Sequence, residues 1–368
     1  MIPVFGSQVG QDELDEIADC FSRQWLGSGP KTAAFESAFA QRLGLSNLVV
    51  VNSGSGGLYV AAVLLDLPPG SDIIVPAYTW LACAQAVVLA GHRPVFCDVD
   101  LATGNVTAET IAAALTPETR AVMVVHYAGL PARMQPILDL GLPVIEDAAH
   151  AVDSRIGNRA CGSFGDIGVY SFDAVKNLTM GEGGGITTRS LELAARARIL
   201  RHSGIGSAGF EASIQGTGRW WEYDIKAVSQ RLLVSDMNAA VGLVQLRRLD
   251  ALQAERRRIW QIYQEQFSDL DWLVRPADAD PGDRHSYFTY AIRIPNRDRS
   301  AQALYRQGIY TTLRYHPLHL NPIFKADVRL PNSERLNQEA LSIPLHPNLS
   351  DDDVETVISA VRALPGTC

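Results

Sequence analysis

Lysine is scarce in this chain: only Lys31, Lys176, Lys226 and Lys325 stand among 32 basic residues. Positive charge is short as well, with 40 acidic residues giving a net charge of −8. That balance speaks against a nucleic-acid groove, which needs clustered lysine and arginine to displace counterions from phosphates. The one basic run, Arg256-Arg257-Arg258, reads as part of a long solvated helix. The five cysteines, Cys20, Cys83, Cys97, Cys161 and Cys368, are scattered, odd in number and without metal-like spacing, which disfavours a disulfide framework or a zinc site. No apolar run approaches the roughly 20 residues that span a bilayer, and the N-terminus lacks a basic stretch followed by an apolar core. The expectation is a cytoplasmic protein with no membrane partner. There is no internal repeat or low-complexity tract.

What is present is the make-up of an ordinary enzyme: 47 % hydrophobic and 20 % charged residues. At 368 residues the chain exceeds the size at which one core stops growing, so two associated lobes are expected, 1–249 and 250–368. From about residue 45 to 190, short β-branched runs alternate with helical patterns, the mark of an α/β lobe with a mostly parallel sheet. The seven candidate strands are Asn47–Asn52, Asp72–Val75, Pro94–Asp98, Ala121–His126, Pro143–Glu146, Ile167–Phe172 and Gly185–Thr188. Helices are expected at Gly57–Leu65, Leu81–Ala90, Ala108–Leu115 and Met134–Leu140. Residues 205–232 break the pattern as an irregular excursion of the kind kept for function or subunit contact. A long helix starts near Ser235, with Met237, Ala240, Val241 and Val244 on one face. Elements at Ser286–Ile294, Arg299–Gln307 and Val354–Ala363 suggest a smaller α+β cap.

Ligands of such sheets collect beyond the carboxyl ends of the strands, and three segments carry chemistry there. Asn52-Ser53-Gly54-Ser55-Gly56-Gly57 follows a strand and opens a helix, so its backbone N–H groups could cradle an anion. It matches neither the nucleotide P-loop nor the dinucleotide fingerprint, and a plain strand-to-helix turn is the alternative. In Val144-Ile145-Glu146-Asp147-Ala148-Ala149-His150 a strand delivers two adjacent acids. One carboxylate could hold a heteroaromatic nitrogen protonated, or an acid could simply cap the next helix. His150 could face the same ligand or fill space.

The third segment is Tyr170-Ser171-Phe172-Asp173-Ala174-Val175-Lys176-Asn177-Leu178, followed by Gly181-Glu182-Gly183-Gly184-Gly185. A lysine between an apolar strand and a glycine-rich stretch is poorly solvated, which lowers its pKa toward the neutral amine that attacks a carbonyl. An ordinary loop lysine is the alternative. The other three lysines lie in polar or terminal contexts, which leaves Lys176 as the candidate. At the end of another strand, His126-Tyr127 faces the same edge, so Tyr127 is a candidate to approach a substrate, whereas His92 belongs to a surface turn.

Together these segments resemble the DegT/StrS-type nucleotide-sugar aminotransferases of pyridoxal-phosphate (PLP) fold type I. The resemblance covers essentially the whole chain: Gly27–Pro30 with Phe35-Glu36, Ser53–Ser55, Pro76–Trp80, Val125–Gly129, Glu146–His150, Ser171–Gly184, Ser235–Leu246 and Tyr315–His319. It implies that Lys176 carries PLP as a Schiff base and shuttles the proton. It also implies that Asp147 pairs with the pyridine nitrogen, that Trp80 stacks on the ring and that His150 lies near the 3-hydroxyl. Gly54, Ser55 and Ser171 match the phosphate cradle. Relatives with histidine in place of the lysine are dehydratases, and Lys176 argues against that branch. Where a common pattern has an asparagine that reaches the partner subunit's PLP phosphate, this chain has Arg231, so a cross-subunit phosphate contact in a homodimer with shared sites is expected.

Arg314-Tyr315-His316-Pro317-Leu318-His319 is similar to the His-Tyr-x-Pro-Leu-His segment of enzymes that aminate 4-keto-6-deoxy sugars on a nucleoside diphosphate. Arg314 stands in place of the first histidine and could meet a phosphate. Pro317 spoils a helical metal-ligand pair of His316 and His319, and no third ligand accompanies them, so no metal is expected. The resemblance implies amino transfer from a donor, usually L-glutamate, to a nucleotide-linked keto sugar. A 3-keto sugar or a keto-cyclitol is the nearest alternative. A non-catalytic PLP sensor is a further one, although such regulators carry a DNA-binding domain for which this chain has no spare residues.

Overall fold

The structure, a computed structural model, describes residues 1–207, 219 and 221–364. Part of the expected 205–232 excursion, and Cys368, lie outside the described residues.

The seven expected strands form one sheet: β1 (Val49–Val51), β2 (Asp72–Pro76), β3 (Arg93–Cys97), β4 (Thr119–Val125), β5 (Val144–Asp147), then β8 (Ile167–Ser171) and β9 (Gly184–Thr188). Between β5 and β8 a short antiparallel pair, β6 (Arg155–Ile156) and β7 (Arg159–Ala160), stands apart from it. The order is β1-β9-β8-β5-β4-β2-β3. Pairs from β3 to β8 are parallel, and β9 runs antiparallel to both neighbours. The carboxyl ends of β1, β2, β5 and β8 and the start of β9 therefore share one edge.

Strand periodicity explains why these segments read as unbroken apolar runs. Val49, Val51, Ile73, Val75, Ala121, Met123 and Val169 join one core cluster, while Val50, Ile74, Val122, Val124 and Tyr170 join clusters on the opposite face. Successive side chains point to opposite faces, so a sheet covered on both sides is apolar at every position. Each such valine or isoleucine contributes about 1.5–3 kcal/mol on burial. Helices Gly54–Leu64, Ala82–Leu89 and Leu191–Arg201 supply side chains to the first cluster. Pro30–Leu43 and the start of Asp236–Gln266 meet the second.

The long helix starts where expected, its first turn capped by Ser235 accepting from the Asn238 N–H at 3.2 Å. Its packed face is wider than the four expected positions: Ala239, Ala240, Gly242, Val244, Leu246 and Leu249 are buried, whereas Met237 and Val241 are only half-buried. Further on, Ile259, Trp260 and Tyr263 enter a separate core with Tyr290, Ile292, Leu341, Val357 and Val361. The basic run on this helix is not wholly solvated. Arg256 is buried and donates from Nη1 to the Leu345 carbonyl at 3.1 Å, because this stretch lies under the 340s rather than against water. The expected strand at 286–294 is shorter, Tyr290–Arg293 paired with Ala340–Ile343. The N–H groups of Ser286 and Phe288 donate instead to the carbonyls of Gly129 and Ala128, at 3.3 and 3.0 Å. His92 is buried rather than sitting in an open turn. No helix among the described residues is long and apolar enough to cross a membrane.

Candidate active site

A cavity of about 370 Å³ opens at the shared strand edge. Its lining includes Ser53–Ser55, Thr79, Trp80, Asp147, His150, Ser171, Asp173, Lys176, Glu182, Arg314 and Tyr315. Nine of the sequence candidates thus meet there: Gly54, Ser55, Trp80, Asp147, His150, Ser171, Lys176, Arg314 and Tyr315.

The first wall is the loop after β1. The Ser53 Oγ accepts from the Gly56 N–H at 3.0 Å and caps the helix Gly54–Leu64. The N–H groups at the start of this helix, with its dipole, face Ser171 and the start of β9. Two glycines permit this approach. A Cβ on Gly54 would lie 2.8 Å from the Ser171 Cβ, and one on Gly184 would meet the Ser53 carbonyl carbon at 2.4 Å.

β5 separates its two acids by pleat. Glu146 is fully buried on the far side, accepting from the N–H groups of Gly162 at 2.8 Å and Gly165 at 2.5 Å, with His126 Nε2 at 2.9 Å. The Ala132 N–H donates to Nδ1 of the same histidine at 3.0 Å, leaving Nε2–H to donate to Glu146. Glu146 is therefore an anchor for the 160–165 loop. Asp147 faces the cavity. Its Oδ1 accepts from the Ala149 N–H at 2.9 Å, and its Oδ2 accepts from the Cys83 thiol at 3.1 Å. Burial, and then the Asp147 charge, push that thiol well above its usual pKa, so it remains a donor.

Lys176 closes the opposite wall. Burial, followed by the Arg314 charge, pulls its pKa from 10.5 to about 8, against the opposing pull of Asp147 and Asp173. Its Nζ lies 4.8 Å from the Phe288 ring centroid. The loop is pinned on its far side, where the Asn177 Nδ2 donates to the Ser286 carbonyl at 2.5 Å. Phe288 stacks on His150 at 4.0 Å and 15°. His150 Nε2 lies 3.0 Å from the Tyr315 hydroxyl, while its buried Nδ1 has no protein partner. Burial holds this histidine well below its usual pKa, hence neutral. Trp80, half exposed, leans over the opening 5.5 Å from the Tyr315 ring.

Other candidates are not brought to the cavity. Tyr127 is buried, and its hydroxyl donates to the Arg314 carbonyl, so it props the segment that lines the site instead of facing it. His316 is exposed, with Nδ1 3.1 Å from the Asn337 Oδ1. His319 turns inward, its Nε2 3.5 Å from Glu334. Pro317 and the short helical turn after it send the two rings apart. Arg231 is exposed and does not line this chain's own cavity. Among the described residues no group of three or more His, Cys, Asp or Glu side chains could hold a metal.

Sequence reasoning missed Cys83, although a signal existed: it follows Thr79 by one helical turn at a strand end, and the Thr79 Oγ1 lies 3.4 Å from its sulfur. It also missed Phe288 and Phe5, whose ring centroids lie 4.7 and 5.3 Å from the Arg314 guanidinium and which arrive from distant segments that left no local signal.

These residues fit PLP. The glycine cradle and free N–H groups suit its phosphate, and the Asp147 carboxylate suits a protonated ring nitrogen. A depressed lysine suits its carbonyl, and the unpartnered His150 Nδ1 marks a polar position left for a ligand.

Comparison with known proteins gives the following. A model of the DegT/DnrJ/EryC1/StrS aminotransferase family matches residues 7–362. A Saccharopolyspora spinosa protein described as a dTDP-4-dehydro-2,3,6-trideoxy-D-glucose 4-aminotransferase is 41 % identical over 366 residues, covering 97 % of this chain and 95 % of that one. The aminotransferase TlmJ of Streptoalloteichus hindustanus has a solved structure with a TM-score of 0.93 at 42 % identity, covering 99 % and 98 % of the two chains. A Streptococcus pneumoniae protein solved in its PMP-form superposes with a TM-score of 0.92 at 25 % identity, over 98 % of each.

Proposed function

The chain belongs to the DegT/DnrJ/EryC1/StrS aminotransferase family, and from that premise we propose that it moves an amino group from L-glutamate to a nucleotide-linked 4-keto-6-deoxyhexose, leaving an amino sugar. The observation that carries this reading is the convergence of Lys176 and Asp147, with the Ser53–Ser55 helix start, on one cavity.

Lys176 would hold PLP covalently, Asp147 would face its ring nitrogen, and Gly54, Ser55 and Ser171 would receive its phosphate. Trp80 would cover the ring, with His150 beside the hydroxyl. When bound, PLP supplies an electron sink that lets the C–H bond next to the amine break. The protein's part is geometry and protons. Lys176, with its amine free, would take the proton from the donor's α-carbon and hand it back, a role its pKa of about 8 suits near neutral pH. Asp147 would keep a proton on the ring nitrogen by charge pairing in a site sheltered from water. The Cys83 and Ala149 donors hold its carboxylate in one orientation. Tyr315 and Arg314 border the substrate space, and Tyr127 supports them from behind.

The active unit is a homodimer with shared sites. Trp221, Tyr223, Ile225 and Val228 are all exposed, Val228 at 98 %, around Arg231. Such an apolar surface is suited to cover by a second copy, which would bring Arg231 to the neighbouring phosphate.

The test is incubation of PLP-loaded protein with L-glutamate and thymidine-, uridine- and guanosine-linked keto sugars, read by product mass and NMR. A 4-amino sugar nucleotide is expected. Amination at the 3-position, or of a keto-cyclitol alone, would replace the substrate assignment, and no amination of any acceptor would overturn the reading.

A further inference from the structure

The core around the large sheet and the separate core around Trp260 meet over a second cavity, of about 40 Å³, which shares no lining residue with the active-site cavity. Tyr78 and Tyr127 line it from the sheet side, and Trp260, Arg275, His285 and Arg293 from the other. Among the described residues no Asp or Glu lines it, so its charged members are the two arginines alone. The polar groups of its far wall are donors. Trp260 is fully buried, and its Nε1–H has no hydrogen-bond partner. His285, also buried, accepts the Tyr287 N–H on Nδ1 at 2.6 Å, and burial pulls its pKa to about 3, so the ring is neutral with its hydrogen on Nε2. Arg293 has a buried Nη1 that makes no hydrogen bond. The Glu339 Oε2 stands 3.8 Å from it, while the Arg335 Nε holds Oε1 of that carboxylate at 2.7 Å. Burial pulls the Arg293 pKa down, against the opposing pull of Glu339 and Asp100. Arg275, exposed at the rim, donates from Nη1 to an uncharged acceptor, the Gln264 carbonyl, at 2.6 Å. Each buried donor left without an acceptor costs its full desolvation, and these are gathered at one place.

We propose that this cavity is a binding site for one small monoanion of the size of chloride, which ties the Trp260 core to the large sheet. Three observations select this ligand. First, the sign is set by two arginines and an indole N–H with no carboxylate among the lining residues. Second, a buried water needs acceptors as well as donors around it, and the one threonine in the lining is already committed. The Thr103 Oγ1 donates to Asp100 at 2.8 Å and accepts from the Asn105 N–H at 3.2 Å. Third, about 40 Å³ exceeds the roughly 10–15 Å³ that a single water requires and falls far below the roughly 300 Å³ at which small-molecule sites begin. A halide fits, whereas a sugar nucleotide or an amino acid does not. The position gives the anion a consequence. Tyr127 lines this cavity and donates its hydroxyl proton to the Arg314 carbonyl, so an anion seated between Tyr127 and Trp260 backs the segment that borders the active site. The assignment does not depend on the aminotransferase reading.

The experiment melts the PLP-loaded protein at constant ionic strength in sodium chloride and in sodium gluconate, whose anion is too large for the cavity. In parallel, crystals grown in sodium bromide locate the halide by its anomalous scattering. Chloride at about ten times its Kd is expected to raise Tm by about 2 °C over gluconate. A bromide peak is expected between Trp260 and Arg293. Arg293→Met should lose both the shift and the peak. Arg275→Gln, a change at an exposed position, should raise the chloride concentration needed for half the shift by about threefold, and it decides the matter if the methionine variant fails to fold. Equal melting in the two salts, or bromide crystals with water alone in the cavity, would overturn the assignment. So would a bromide peak without a chloride shift, which is binding at crystal concentration only. A shift that survives Arg293→Met, or one that Arg275→Gln leaves unmoved, would place the anion elsewhere and overturn it as well.

Discussion

Replacing Lys176 by methionine in the cofactor-free protein is expected to make it more stable at neutral pH. The folded site holds this amine at about 8 against 10.5, because burial and the Arg314 charge disfavour its protonated form. At about 1.4 kcal/mol per tenfold, that displacement amounts to about 3 kcal/mol borne by the folded state. The contact of Nζ with Phe288 returns about 1 kcal/mol, so the net gain for Lys176→Met is about 2 kcal/mol. The pH window follows from which state takes the proton. Below pH 8 both folded and unfolded wild type carry it, so the full cost is present. Between about 8 and 10.5 only the unfolded chain does, so wild-type stability climbs with pH relative to the mutant. Above 10.5 neither carries it, and the difference reduces to packing. The assay is urea unfolding of both proteins from pH 6.5 to 10.5 at one protein concentration, since association would add its own stabilisation. A mutant no more stable at pH 7, or an advantage that does not shrink as pH passes 8, would refute the account of the lysine.

Two further outcomes are expected. Gly184→Ala drives a methyl into the Ser53 carbonyl, which should cost about 1–3 kcal/mol of stability and weaken PLP binding, measured by fluorescence quenching, because the phosphate loop is displaced. The two β5 acids should part company: Glu146→Ala lowers stability by about 3 kcal/mol in calorimetric melts, whereas Asp147→Asn melts near wild type, still takes up PLP, and transaminates at least about 100-fold more slowly.

How far the sequence reaches is clearest at particular residues. All seven strands of the large sheet were legible, since strands buried on both faces leave unbroken apolar runs, and their ends shifted by only one or two residues. The glycine loop, the acid pair and the lysine were legible because each lies within a few residues of a strand end. Tyr127 was misjudged for the same reason. A strand end faces the ligand edge, but whether a side chain turns toward the cavity or back under a neighbouring loop depends on what docks there, and the Arg314 carbonyl comes from 187 residues away. Arg256 was misjudged because three consecutive arginines look solvated until the 340s are laid over one of them. Phe288, Phe5 and the shortened strand at 290–293 follow from packing between segments far apart in the chain, for which no local period exists.

The acid pair shows why geometry must finish what pattern starts. Glu146 and Asp147 are adjacent, both at least 95 % buried, and indistinguishable by composition. The pleat forces them to opposite faces. On one face the carboxylate meets two loop N–H groups and a buried histidine, so its hydrogen bonds are spent within the protein. On the other it meets one backbone N–H and a weakly donating thiol, and its remaining lone pairs face the cavity. The same contrast separates the cations. Surface arginines such as Arg196 close onto a carboxylate, whereas Arg314 and Lys176 face the cavity without an ion pair at a cost to stability. Residues that the fold leaves unpaired at its own expense mark where a ligand completes it, and here they converge on one cavity carrying a carboxylate, an amine and a guanidinium. That set complements a protonated ring nitrogen, a carbonyl and an anion brought together in one ligand site.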